Sequence, residues 1–178
     1  NRRIRPEEII DKACGYATAS MVFPSRLVKE LPSYYTDCPV GDIPLQLMAA
    51  AEGYGYYMDR DMSVYRVGVA ASWTVQGKQG DYIEKQKRYQ EQMKSTYQEF
   101  DKATGRRFHR AAESAARRIW FLTKVNTRCY GVVRDRKYRN YYRELTLRTR
   151  FYIRMETGFP WLYRWLAERA QRKRGQKG

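Results

Sequence analysis

At 178 residues, 43% hydrophobic and 15% aromatic, the chain is long enough to bury a core and too apolar to be disordered by composition. It has no run of about twenty apolar residues to span a bilayer and no visible signal peptide. Its net charge of +16 is lopsided: residues 1–100 carry 13 Lys/Arg and 13 Asp/Glu, whereas residues 101–178 carry 22 and 6. One domain, or a small domain with an appendage, is the expected organisation. The charge divides it into a neutral module, residues 1–104, and a basic one, residues 105–178.

In chain order, residues 1–12 read as a loop and then a short helix from Pro6, with Glu7 and Glu8 in its first turn. The first residues, from Asn1, look like mid-protein sequence, so a piece of a longer protein is expected. Tyr16 to Phe23 reads as a strand. Pro24 to Leu31 reads as a short helix stopped by Pro32, and Ser33 to Pro39 as a tyrosine-rich loop. Tyr54 to Met58 is a strand by pattern, Asp59-Arg60-Asp61 a turn, and Met62 to Val67 a second extended segment. Gly68 to Gly80 is loop-like. From Asp81 the period changes: Tyr82, Ile83, Gln86, Tyr89, Met93, Tyr97 and Phe100 recur at three- and four-residue spacing and predict an amphipathic helix of about twenty residues ending at Gly105. Phe108 to about Cys129 is a second helix. Gly131 to Arg154 is read as helical and is broken at Thr157-Gly158-Phe159-Pro160. A last helix starts at Trp161.

The stretch from Cys38 to Gly53 stands out. Gly41 frees the backbone ahead of Asp42, which suits an N-cap, and Pro44 suits a first turn. Leu45, Leu47, Met48, Ala49 and Ala51 continue a nearly all-round apolar helix, which should be buried, with Gly53 as its stop. One carboxylate is thus held at the mouth of a buried helix. Local pattern leaves two roles open for it, a plain helix cap and a positioned base.

Cys14, Cys38 and Cys129 form no CxxC and no Cys/His cluster, so structural zinc is not expected. Reduced thiols in a cytoplasmic compartment fit best. The lone histidine, His109, sits among Arg106, Arg107 and Arg110 without a partner at hydrolase spacing, and Ser20 and Ser72 lack a nucleophile elbow.

Taken together, Ala19-Ser20-Met21-Val22-Phe23, Leu31-Pro32, Cys38-Pro39-Val40-Gly41-Asp42-Ile43-Pro44-Leu45, Gly53, Met58-Asp59, Met62 to Val67 and Ser72-Trp73-Thr74 resemble the C-terminal part of the catalytic domain of bacterial family 2 glycosyltransferases. The resemblance covers about residues 15–75, more loosely to Phe100. It implies an α+β fold, mostly helical, with a small strand core from the C-terminal half of a GT-A-like domain. It also implies the acceptor-side half of a two-half enzyme of polysaccharide biosynthesis. That enzyme would transfer a sugar from a nucleotide-sugar donor to a glycan or lipid-linked acceptor by inverting chemistry.

By the same resemblance Asp42 occupies the catalytic-base position, and a divalent metal, Mg²⁺ or Mn²⁺, is bound mainly by the missing nucleotide-binding half. No metal is expected in this chain, which should be inactive alone. Asp59 and Asp61 follow the acid helix instead of preceding it and read as turn residues. Arg66 is the expected donor-phosphate contact or else a structural ion-pair partner. Many relatives place a His two residues after that Arg, and here the position is Gly68. Tyr34, Tyr35, Asp37 and Trp73 are acceptor-binding candidates, set against ordinary loop and core roles.

The basic half interleaves Arg with Tyr and Trp. Three readings stand side by side. Trp161 and Trp165, with Arg164, Arg172, Lys173 and Arg174, can lie on an anionic membrane surface, placing the protein at the inner face of the plasma membrane. The same composition can bind nucleic acid by phosphate contacts and stacking, although no nucleic-acid motif is present. The third reading is a solvated basic appendage packed through its tyrosines. A non-catalytic binding module is therefore the alternative to the transferase, and apolar stripes on the tyrosine-rich helices would allow a homodimer.

Overall fold

The three- and four-residue apolar spacing after Asp81 forms the longest element of the fold. The computed structural model describes residues 1–12, 16–61, 63–64, 81–165 and 169. They run β1 (Arg2–Ile4), α1 (Pro6–Asp11), α2 (Ser33–Thr36), α3 (Asp42–Glu52), β2 (Gly55–Tyr57), α4 (Tyr82–Ala103), α5 (His109–Asn126), α6 (Arg139–Glu144) and α7 (Leu147–Gly158), with short 3₁₀ turns between. The chain is mostly helical with one small two-stranded sheet. It divides into two compact units, Asn1–Thr123 and Lys124–Gly178. The charge change at residue 104 therefore falls inside the first unit.

In the first unit, Asp81 caps α4 by accepting from the Glu84 N–H at 3.0 Å. Met93, Tyr97 and Phe100 then recur on one face and are buried. The α4–α5 junction closes with a Schellman turn. The Gly105 N–H donates to the Lys102 carbonyl and the Arg106 N–H to the Asp101 carbonyl, with Gly105 at φ 60°. This turn folds Phe108, just ahead of α5, and Ala112, Ala115 and Ile119 of α5 back onto Phe100, Leu47, Ile43 and Ile10. Phe100 stacks on Phe108 at 6.0 Å and meets the edge of Tyr34 at 5.9 Å. Replacing the Phe100 ring by a methyl group should cost about 3–5 kcal/mol.

The sheet pairs β1 and β2 antiparallel, with Arg2 opposite Tyr57 and Ile4 opposite Gly55. A Cβ at Gly55 would stand 3.0 Å from Ile9 Cδ1, so a glycine lets β2 lie against α1. Two clamps tie the first helix down. Tyr97 donates to the Ile10 carbonyl at 3.3 Å, and Arg118 meets Asp11.

Several local expectations are corrected. Tyr16 to Phe23 is not a strand. The Ser20 hydroxyl and N–H both donate to the Ala17 carbonyl and the Met21 N–H to Thr18, making a 3₁₀ turn over Thr18–Ser20, because short hydroxyl side chains compete with ladder bonding. Residues 2–4 are a strand where a loop was expected. Ser33 to Thr36 is a helical turn instead of loop. The extended segment expected from Met62 to Val67 and the loop to Gly80 lie almost wholly outside the described residues.

The second unit holds two 3₁₀ turns, Tyr130–Arg134 and Arg136–Tyr138, then α6 and α7. Leu145, extended at ψ 145°, breaks the helix expected over Gly131 to Arg154 into pieces. Thr146 restarts it by accepting from the Thr149 N–H. α7 ends at Gly158 as expected, and residues 160–165 resume a helix.

Candidate functional site

α3 is buried along most of its length through Ile43, Pro44, Leu45, Gln46, Leu47, Met48 and Ala50. Its cap differs from expectation. Gly41 is the N-cap residue and makes no side-chain cap bond, so Asp42 is the first helical residue. The carboxylate is thus free of capping and half-exposed, inside the positive end of the helix dipole. Its Oδ2 accepts from the Thr18 hydroxyl at 3.3 Å.

At 100° per residue, Asp42, Leu45, Gln46 and Ala49 share one face of α3. The last three line a cavity of about 370 Å³, together with Tyr16, Ser20, Phe23, Tyr56, Arg60 and other residues of the first unit. Gln46 is 3% exposed. Its Nε2 donates to the Tyr16 carbonyl at 3.1 Å, while its Oε1 has no hydrogen-bond partner. A buried amide oxygen without a donor costs about 1–3 kcal/mol, and this one is closed to solvent, so a donor in the cavity reaches it only if the Gln46 amide turns. Burial also raises the Tyr16 phenol above its usual range, so that hydroxyl keeps its proton. The cavity therefore offers aromatic faces, the charged residues Arg60 and Asp61 in its lining, and a carboxylate one helical turn away.

The expected acceptor-side residues separate. Tyr34 is a correction: at 6% exposure, with its ring edge on Phe100, it belongs to the core and presents no wall. Tyr35 is half-buried, and its hydroxyl would be 3.8 Å from a Cβ at Gly41, which places it over the start of α3. Asp37 is exposed, with its Oδ1 3.5 Å from the Thr36 hydroxyl. Arg66, Gly68 and Trp73 lie outside the described residues. Asp59 behaves as a turn residue, its N–H donating to Asn1 Oδ1 and its Oδ1 accepting from Tyr57. Among the described residues no group of three or more His, Cys, Asp or Glu side chains could hold a metal ion.

Sequence reading missed Gln46 and Thr18. The signal for Gln46 was there: it is the one amide in an apolar helix, and it stands four residues after the acid. His109 also has a partner that spacing did not suggest, its Nδ1 lying 2.8 Å from Asp101 Oδ2.

In the second unit Trp161 and Trp165 are exposed, and Arg164 Nε donates to the Pro160 carbonyl at 3.4 Å. Arg172, Lys173 and Arg174 lie outside the described residues. Among those described, no helix is long and apolar enough to cross a membrane. No protein-family model, curated protein or solved structure matches the chain.

Proposed function

We propose that the chain is the acceptor-side half of an inverting nucleotide-sugar transferase of the family 2, GT-A type, with Asp42 as general base. The observation that carries this reading is the face of α3. It sets a rigid, uncapped, half-exposed carboxylate one turn from an open cavity with aromatic walls and the charged residues Arg60 and Asp61 in its lining. Aromatic faces and charged side chains are what a sugar ring and its hydroxyls pair with.

In the reaction, Asp42 removes the proton from one acceptor hydroxyl as that oxygen attacks the anomeric carbon. The C–O bond to the nucleoside diphosphate breaks on the opposite side, and the electron pair leaves with the diphosphate. Thr18 donates one hydrogen bond to Asp42 Oδ2, which orients the carboxylate. The described residues do not supply a ligand set for the Mg²⁺ or Mn²⁺ that the resemblance implies, so no step is assigned to metal held here.

The test is sugar transfer by a protein carrying this chain joined to a nucleotide-binding half, over a panel of nucleotide sugars and glycan or lipid-linked acceptors with Mg²⁺ or Mn²⁺. Asp42→Asn should lower kcat by about 10²-fold or more. Gln46→Leu should raise the acceptor KM and leave donor hydrolysis unchanged. Full activity in Asp42→Asn would overturn the base assignment.

A further inference from the structure

We infer that α7 and the helical turn after it form a docking surface for an anionic lipid bilayer. α7 has two unlike sides. Its inner side carries Ile153, which is buried, and Glu156, which accepts from Tyr130 at 2.9 Å and pairs with Arg128 at 3.2 Å. Its outer side carries Leu147, 77% exposed, and Phe151, 59% exposed. At 100° per residue these two lie within about 40° of each other. Arg154 flanks them on one side and Arg148 on the other, both exposed. Glu156 is the sole acid in α7 and is spent on the inner side, so the outer arc is apolar and cationic only. Phe159, Trp161 and Trp165 continue the exposed apolar residues directly beyond the helix.

This is the pattern of a helix lying in a membrane interface, with an apolar ridge below and arginines rising on both flanks to headgroups. The surrounding charge agrees. Residues 124–178 carry 16 Lys/Arg against 4 Asp/Glu, and each basic group near an anionic leaflet adds attraction. A nucleic acid would pair with the arginines but leave Leu147 in water. A second copy of the same face would bring Arg148 and Arg154 against their equivalents. An anionic bilayer takes both the ridge and the flanks, and its recognition does not depend on the transferase reading.

The experiment is co-sedimentation of the full chain with vesicles of three parts phosphatidylcholine to one part phosphatidylglycerol, and with phosphatidylcholine alone, at low and high salt. The chain should partition onto the anionic vesicles and about tenfold or more weakly onto the neutral ones, with binding reduced by salt. Leu147→Ser with Phe151→Ser should lower anionic-vesicle binding by at least about tenfold while helical circular dichroism stays unchanged. Arg148→Glu with Arg154→Glu, which leaves the ridge intact, should do the same. No binding to anionic vesicles overturns the inference. So does binding that the serine variant leaves untouched, because that would be charge attraction alone.

Discussion

Asp11 and Arg118 stand 107 residues apart in sequence and 2.6 Å apart in space. The pair joins the end of α1 to the middle of α5, and both side chains are about four-fifths buried. Such a pair sits between the exposed case, worth little, and the fully buried one, whose rupture costs several kcal/mol. Arg118→Ala should therefore lower unfolding free energy by about 1–3 kcal/mol, read as a shift in the urea midpoint. An unchanged midpoint would mean that α1 is held by Tyr97 and its apolar contacts without help from this pair.

Arg106 follows Gly105 into the left-handed region, at φ 61°. A residue with a Cβ is strained there by about 1 kcal/mol, and glycine is not. Arg106→Gly should raise thermal stability by about 0.5–1 kcal/mol. Gly105→Ala, at φ 60° with open space around the site, should lower it by about 1 kcal/mol through the backbone alone.

The Tyr130 phenol is pushed up to about 12, first by burial and then by its hydrogen bond to the Glu156 carboxylate. The folded state therefore favours neutral Tyr130. That contribution is fully present below about pH 10, the unfolded value, and is lost as pH rises from there through about 12. The stability gap between the native chain and Tyr130→Phe should be constant from pH 7 to 9 and change above pH 10. A gap that stays flat to pH 12 would contradict the raised phenol.

Burial pushes the Cys38 thiol above its usual range, and its Sγ lies 3.8 Å from the Met93 sulfur. Cys129 is exposed. Since the thiolate is the reactive form, iodoacetamide at neutral pH should label Cys129 well before Cys38. Peptide mapping over time checks this, and equal rates would mean that α2 opens readily from α4.

Asp42→Asn separates the two roles that the sequence leaves open. Because Gly41 is the N-cap and Asp42 makes no cap bond, the substitution removes only a charge in the first turn, worth about 0.3–1 kcal/mol. The variant should keep its melting temperature within a few degrees while transfer falls by about 10²-fold. A large loss of stability would make Asp42 a structural residue.

What could be read in advance was local. Asp81, the Met93-Tyr97-Phe100 repeat and Gly105 mark the start, face and end of α4 within a few residues: the cap and the stop act through neighbours in the same helix, and the face is a matter of helical spacing. What could not be read depends on distant partners. Arg2–Ile4 becomes a strand only because Gly55–Tyr57 arrives beside it. Thr18 and Ser20 turn the chain where apolar neighbours suggested extension. Tyr34 and Tyr35 look equivalent in sequence, yet helical geometry points one into Phe100 and the other over Gly41. At the site, the acid was legible from its helix, whereas the cavity beside it is assembled from α3, β2 and the turn at Thr18, which no single stretch encodes.

The clamps on α1 have a consequence for synthesis. Tyr97 and Arg118 come off the ribosome long after Ile10 and Asp11, and at roughly 5–20 residues per second the wait is about 5–20 s. For that time α1 and α3 have each other but lack the cover that α4 and α5 later supply. A polypeptide ending at Thr104, where the neutral part gives way to the basic one, would still lack Phe108, Ala112, Ala115 and Ile119. Such a product would keep the exposed nascent surface permanently and be a substrate for chaperones and proteases. The seam drawn by charge is therefore not one along which this polypeptide can be cut.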